Sequence, residues 1–279
     1  WTQSKRYVGG IMVLIGIGNA GRNLVNLFSD HNTKITITAE DFPKNCKKTE
    51  DYEQHCPDFS NRLNFDDDEC WVFLCGAGKV AGCTLRVLET IKNKKINIVY
   101  IYPDTTLCNS MQLKRNKVAY NVLQEYTRSG LFNRMYFFSN KNILDIIGDQ
   151  PITEMYTMIN KQIANTIETL EWLKSQTPVM GSEHESKNIS RICTVSVGNM
   201  KKNEEKMLFL LDNITEASYL YSVSKNQLEK DKDMLNKIKE RIMKDEKNNI
   251  ISSFAVYPSE HSQSFFYSLK LTHYIQEKK

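Results

Sequence analysis

Residues 71–84 read Trp71-Val72-Phe73-Leu74-Cys75-Gly76-Ala77-Gly78-Lys79-Val80-Ala81-Gly82-Cys83-Thr84. A buried apolar strand over Trp71 to Leu74 gives way to a glycine-rich turn, and a helix over Thr84 to Ile91 follows. Glycine lets the backbone turn tightly and approach a phosphate. A helix N-terminus adds free N–H groups and positive potential. The turn is not a Walker A loop, because no Lys-Ser/Thr pair follows its last glycine at the needed spacing.

A second turn of this kind stands earlier in the chain. Gly16-Ile17-Gly18-Asn19-Ala20-Gly21 follows a strand over Ile11 to Ile15 and opens a helix over about Gly21 to Phe28. Alone it fits the dinucleotide fingerprint G-x-G-x-x-G. Glu40 follows the next strand, Ile35 to Thr38, where a ribose contact would lie. An NAD(P)-binding Rossmann protein is therefore one reading. Two successive glycine-rich strand-to-helix turns favour another, a sheet edge that clasps one polyphosphate from two sides.

The surrounding elements alternate. Asp41 to Asp68 is polar and turn-rich, with at most short helices. Strands are expected over Ile96 to Tyr102, stopped at Pro103, and over Met135 to Phe138, with a long helix from Met111 to Tyr126 between them. This is the order of a parallel sheet with helices on both faces. After Asp149-Gln150-Pro151, a helix over Ile152 to Leu173 repeats apolar residues at Met155, Ile159, Ile163, Ile167 and Leu170, so one face is buried. A polar loop, Gln176 to Asn188, leads into an α+β region. There, strands are expected over Ile192 to Val197 and Tyr219 to Val223, with helices over Glu204 to Leu211 and Asn226 to Lys244. A pair of strands, Ile251 to Tyr257 and Phe265 to Thr272, closes the chain.

The 279 residues suffice for one large or two medium domains. The formal charge is +4 and the lysines sit beside acids, as in Lys230-Asp231-Lys232-Asp233. That pattern describes solvated helix faces and speaks against direct nucleic-acid binding. No stretch approaches the roughly 18 consecutive apolar residues of a membrane span, so no direct membrane contact is expected. Trp1 to Arg6 lacks a signal-peptide core and an initiator Met, so upstream residues are expected. Seven cysteines without a C-x-x-C pair indicate reduced structural thiols and a cytoplasmic protein. Cys46, His55, Cys56 and Cys70 match no common zinc spacing, and no metal site is assigned.

On these residues the chain resembles the tubulin/FtsZ superfamily. Gly16-Ile17-Gly18-Asn19-Ala20-Gly21-Arg22-Asn23-Leu24-Val25-Asn26 is similar to the family's first loop and helix, GVGGGGGNAVN. Phe73 to Thr84 takes the place of its signature loop, GGGTGTG. Phe138 to Gly148 is similar to I-P-N-D-x-L-L-x-x-x-G and leads, as in the family, to a long central helix. The resemblance implies an α/β fold: a GTP-binding Rossmann-like domain over 1–150, a connecting helix over 151–175 and a smaller α+β domain over 176–279. It implies GTP or GDP as ligand, with Mg²⁺ as a further candidate. Binding would fall to Gly16, Gly18, Asn19, Ala20, Gly21 and Asn23, to Gly76, Gly78, Lys79, Val80, Ala81 and Gly82, and to Asn160 for the base.

Departures accompany the likeness. The signature loop keeps Gly78 and Gly82, while Lys79, Val80, Ala81, Cys83 and Thr84 replace the rest. Lys79 either neutralises phosphate or points to solvent. Arg115, with Lys114 and Lys117, lies where the family has a basic nucleotide contact, and a solvated helix face is the plainer reading. The family's γ-phosphate-sensing loop has no counterpart in Asp41 to Asp68. Its N-x-D-x-x-D acids are replaced by Ser182-Glu183-His184-Glu185-Ser186, which makes Glu183 and Glu185 the candidate catalytic carboxylates if GTP is hydrolysed. Exposed loop glutamates are the plainer reading. The resemblance further implies head-to-tail self-association into cytoskeletal filaments, and the worn motifs would suit a phage- or plasmid-borne homologue. Two other readings stay open: a degenerate, non-hydrolysing protein bound to a cellular or phage tubulin-like partner, and a structural protein that has lost the nucleotide.

Overall fold

Near-continuous apolar runs build the first sheet, because strands of a parallel sheet are buried on both faces. The computed structural model describes residues 10–183, 189–200, 204–259 and 264–277, and two compact units divide them, Ile11–Thr166 and, together with Gly10, Ile167 onward. The N-terminal unit runs β1 (Val13–Ile17), α1 (Gly18–Val25), β2 (Thr33–Ile37), α2 (Thr49–Gln54), β3 (Glu69–Leu74), α3 (Thr84–Thr90), β4 (Lys95–Tyr102), α4 (Ser110–Arg128), β5 (Arg134–Ser139) and α5 (Asn140–Ile147). Its strands lie in the order β2-β1-β3-β4-β5, every neighbouring pair parallel.

Local chemistry sets the boundaries. At the start of α4, Asn109 Oδ1 accepts from the Gln112 N–H and Gln112 Oε1 accepts from the Asn109 N–H, both at 2.9 Å. That reciprocal cap satisfies two otherwise free donors. Ser139 Oγ caps α5, which ends at Gly148 with φ +79°. The stretch between β2 and β3 is turn-rich, as expected. It is held by Phe42 packed edge-on against Tyr52 and Phe59, and by an Arg62–Asp41 ion pair at 2.6 Å.

Helix α6 (Met155–Lys174) contains the boundary between the units. Ile159, Ile163, Ile167 and Leu170 are all buried along it, the continuous face that the sequence period requires. It begins three residues later than expected, leaving Ile152 exposed.

The C-terminal unit follows with β6 (Met180–Ser182), β7 (Ile192–Asn199), β8 (Glu204–Met207), β9 (Glu216–Ser224), α7 (Lys225–Lys230), α8 (Met234–Lys247), β10 (Ile251–Ser259) and β11 (Phe265–Thr272). Its strand order is β7-β11-β9-β10-β6, and β8 also pairs with β7. This unit departs from the sequence expectation in four places.

Glu204–Met207 is a strand and not a helix. Its exposure alternates, and Glu205 is held by Arg241 at 2.6 Å and Lys270 at 3.3 Å. The helix expected over Asn226 to Lys244 is broken into α7 and α8. Asp231 Oδ1 accepts from the Asp233 N–H at 3.0 Å, a side-chain bond that competes with helix propagation. The last two strands do not pair with each other. Helices α7 and α8 return the chain so that β10 lies parallel to β9, while β11 runs antiparallel to β9 and β7. The supposed loop after α6 contains β6, antiparallel to β10, where Gly181 at φ +75° leaves no room for a side chain beside the Phe254 carbonyl. Among the described residues, no helix is long and apolar enough to cross a membrane.

Candidate functional site

Both glycine-rich turns emerge at the carboxyl ends of neighbouring parallel strands, β1 and β3. The first turn is tighter than expected, since α1 begins at Gly18 and Gly16 is still inside β1. A side-chain carbon on Gly16 would lie 2.6 Å from the Gly21 carbonyl carbon, and one on Gly21 would lie 2.3 Å from the Phe73 carbonyl oxygen. These two glycines therefore let α1 press onto β1 and β3. Gly18 differs: its φ of +71° makes the turn itself, in a region favouring glycine.

The second turn divides in the same way. A side chain on Gly76 would fall 2.2 Å from Tyr100 Oη, and one on Gly82 would fall 2.1 Å from the Thr49 carbonyl oxygen. Gly78 meets only the Cys75 carbonyl at an ordinary 3.6 Å. A side-chain carbon on Gly18 would stand 3.7 Å from Val80 Cβ, so the first turn has room for about one added carbon before it meets the second.

Around this junction Asn19, Asn23, Gly78 and Lys79 are exposed, Ala20, Ala81 and Gly82 half-buried, and Val80 buried. The apolar Val80 side chain thus fills space between the turns while Lys79 faces outward. Glu40, the acid that favoured a dinucleotide, is itself highly exposed and lies 3.8 Å from Arg22.

From α4, the Arg115 Nε–H donates to the Ala77 carbonyl at 2.9 Å. Lys114 and Lys117 are exposed, as the plainer sequence reading expects, while half-buried Arg115 also ties α4 to the second turn. Tyr100 Oη donates to Asn116 Oδ1 at 2.8 Å. Burial first, then Cys75, Tyr102 and Tyr120, push the Tyr100 hydroxyl well above its ordinary pKa, against the pull of the Gly76 N–H. None of the seven cysteines is in a disulfide. Burial lifts Cys75 to about 11 and raises Cys83 further, so both stay protonated at neutral pH, as structural thiols do.

Two buried polar atoms lack partners where the sheet edge meets its helices: Thr84 Oγ1, closing the second turn, and Asn140 Oδ1, opening α5 after β5. Tyr156, half-exposed on α6, is close enough to Asp104, Cys108 and Cys75 for burial and then those groups to raise its pKa. The start of α6 therefore lies within electrostatic reach of the loops that follow β3 and β4. Asn160 sits one helical turn further on and is buried. Orphaned polar atoms are costly, and these two stand at the edge where both glycine turns emerge.

Thr84, Asn140 and Tyr156 were not singled out from sequence. The available signals were a third strand-to-helix turn at Ser139-Asn140 and the i–4 spacing of Tyr156 from Asn160. In the other unit, Glu183 follows β6, exposed, beside Tyr257 of β10. Burial, then Glu183, raises the Tyr257 hydroxyl to about 12. His184 and Glu185 lie outside the described residues.

No protein-family model matches the chain, and no curated protein matches its sequence. Solved structures do. An empty FtsZ dimer from M. jannaschii aligns with a TM-score of 0.67 at 12% identity, over 96% of this chain and 89% of that one. A GTPγS-form protofilament of TubZ from Bacillus thuringiensis serovar israelensis gives 0.69 at 13%, over 94% and 86%. CetZ2 from Haloferax volcanii, a GTPγS-bound protofilament, gives 0.68 at 12%, over 94% of each. The chain has a tubulin/FtsZ-like fold.

Proposed function

We propose that the chain binds a guanine nucleotide at the carboxyl edge of its parallel sheet and uses it to assemble head-to-tail into filaments. The observation that carries this reading is the approach of the two glycine turns, where a single carbon added to Gly18 would already touch Val80, on a fold whose solved neighbours include GTPγS protofilaments. Gly18, Asn19, Ala20, Gly78, Lys79 and Ala81 would line the phosphates. Gly16, Gly21, Gly76 and Gly82 would shape the turns behind them. Thr84 Oγ1 would supply a hydroxyl, and Asn140 and Asn160 would read the Watson–Crick edge of the base, which offers donors that an orphaned amide oxygen lacks. Asn23 and the Tyr156 ring complete the set. A bound polyphosphate, with or without Mg²⁺, would supply the charge that the next subunit meets.

Binding without efficient turnover is the second reading. The only carboxylates between residues 175 and 190 are Glu183 and Glu185, in place of an acid pair on Asp. Equilibrium titration with GTP, using ATP, NAD and NADPH as competitors, tests the site. Selective GTP binding with nucleotide-dependent sedimentation supports the proposal, whereas preference for NAD(P) overturns it. Phosphate release during assembly separates turnover from its absence.

A further inference from the structure

Arg115 lies on α4 between Lys114 and Asn116, on a helix with a largely solvated outer face. Its Nε–H reaches back to the Ala77 carbonyl at 2.9 Å. The N–H of the same peptide unit, on Gly78, bonds to the Cys75 carbonyl at 3.3 Å. A trans peptide is a rigid plane with its C=O and N–H on opposite sides, so the Ala77–Gly78 unit is pinned at both ends. The next residue of α4 acts on the same turn. Asn116 Oδ1 accepts from Tyr100 Oη at 2.8 Å, and that hydroxyl fills the place a side chain on Gly76 would need.

We propose that Arg115 is a positioning residue for the nucleotide: its Nε–H, with the Tyr100–Asn116 pair under Gly76, holds residues 76–78 in ligand-ready shape before any ligand arrives. On this view the guanidinium charge is not spent on phosphate. Lys79, exposed at the turn, is the cation left for that. The consequence for affinity rests on the nucleotide reading above, but the bracing of the turn does not.

Three variants separate donor from charge. Arg115→Gln places its Nε2 at the same position along the side chain as the Arg Nε, keeping the donor and dropping the charge. Arg115→Lys keeps the charge but puts a methylene there, and Arg115→Met removes both. Amide exchange at Gly78 in the ligand-free chain is the first readout, and GTP and GDP affinity is the second. The brace predicts Arg115→Gln near wild type in both. Arg115→Lys and Arg115→Met should exchange faster and bind about tenfold more weakly, by the same factor for GTP and GDP, as befits one lost hydrogen bond. Retained binding by Arg115→Lys, with a loss in Arg115→Gln that is larger for GTP, would overturn it in favour of direct phosphate contact. Unchanged exchange in all three variants would overturn it outright. Should the wild-type chain bind no nucleotide, the function reading falls, and exchange alone still decides the brace.

Discussion

A buried hydroxyl without a partner costs about 1–3 kcal/mol, and Thr84 Oγ1 bears that cost in the ligand-free chain. Thr84→Val keeps the shape and removes the orphan, so chemical denaturation should find the variant more stable by about 1 kcal/mol. If the hydroxyl serves the nucleotide, the same variant binds GTP several-fold more weakly, and thermal shift with and without GTP reads both effects. The glycines give a sharper contrast. Gly21→Ala forces a carbon to within 2.3 Å of the Phe73 carbonyl, an overpacking worth roughly 1–3 kcal/mol. Gly78→Ala meets only an ordinary contact and should fold like wild type in the same denaturation assay. Both glycine turns were legible in the sequence, but not the division of labour within them. A glycine needed for close packing and one needed for a phosphate lack the same Cβ, and only the neighbours distinguish them.

At the scale of elements, β1, β3, β4 and β5 were legible because short, continuous apolar runs bounded by Gly and Pro suit strands buried on both faces. β8 was not, since Glu204-Glu205-Lys206-Met207 is made of good helix formers. Its strand state is fixed from elsewhere by Arg241, Lys270 and Ser268 gathered around Glu205, a tertiary override of propensity. Burial alone would raise the Glu205 pKa, yet Lys270, Ser268 and Arg241 outweigh it and hold the carboxyl below its ordinary value. A carboxyl depressed on folding contributes stability that is present above its unfolded pKa of about 4.3 and is lost as pH falls through the lower folded value. Glu205→Ala leaves the buried Lys270 without its counter-charge and should cost about 3 kcal/mol at neutral pH. Urea titrations should show the gap between variant and wild type narrowing below about pH 4.

At the scale of the whole molecule, the fold was readable because its parallel order follows from strand-helix alternation and its turns from glycine. Assembly leaves no such period in a sequence, since the surfaces that meet belong to two copies. The physical expectation comes from symmetry: a head-to-tail contact that does not close on itself propagates, with a critical concentration below which no polymer forms. Gly18 is the place to test whether the proposed nucleotide site controls that contact. Its φ of +71° strains any L side chain by about 1–2 kcal/mol, and a β-branched one would also crowd Val80, already 3.7 Å from the first added carbon. Gly18→Val should therefore remain folded by circular dichroism while losing GTP binding. Sedimentation with GTP should then find polymer for the wild-type chain above its critical concentration, and only monomer for the variant. If the variant binds no GTP and still sediments with the wild-type critical concentration, the copies meet through surfaces independent of the nucleotide, and the filament belongs to the fold alone.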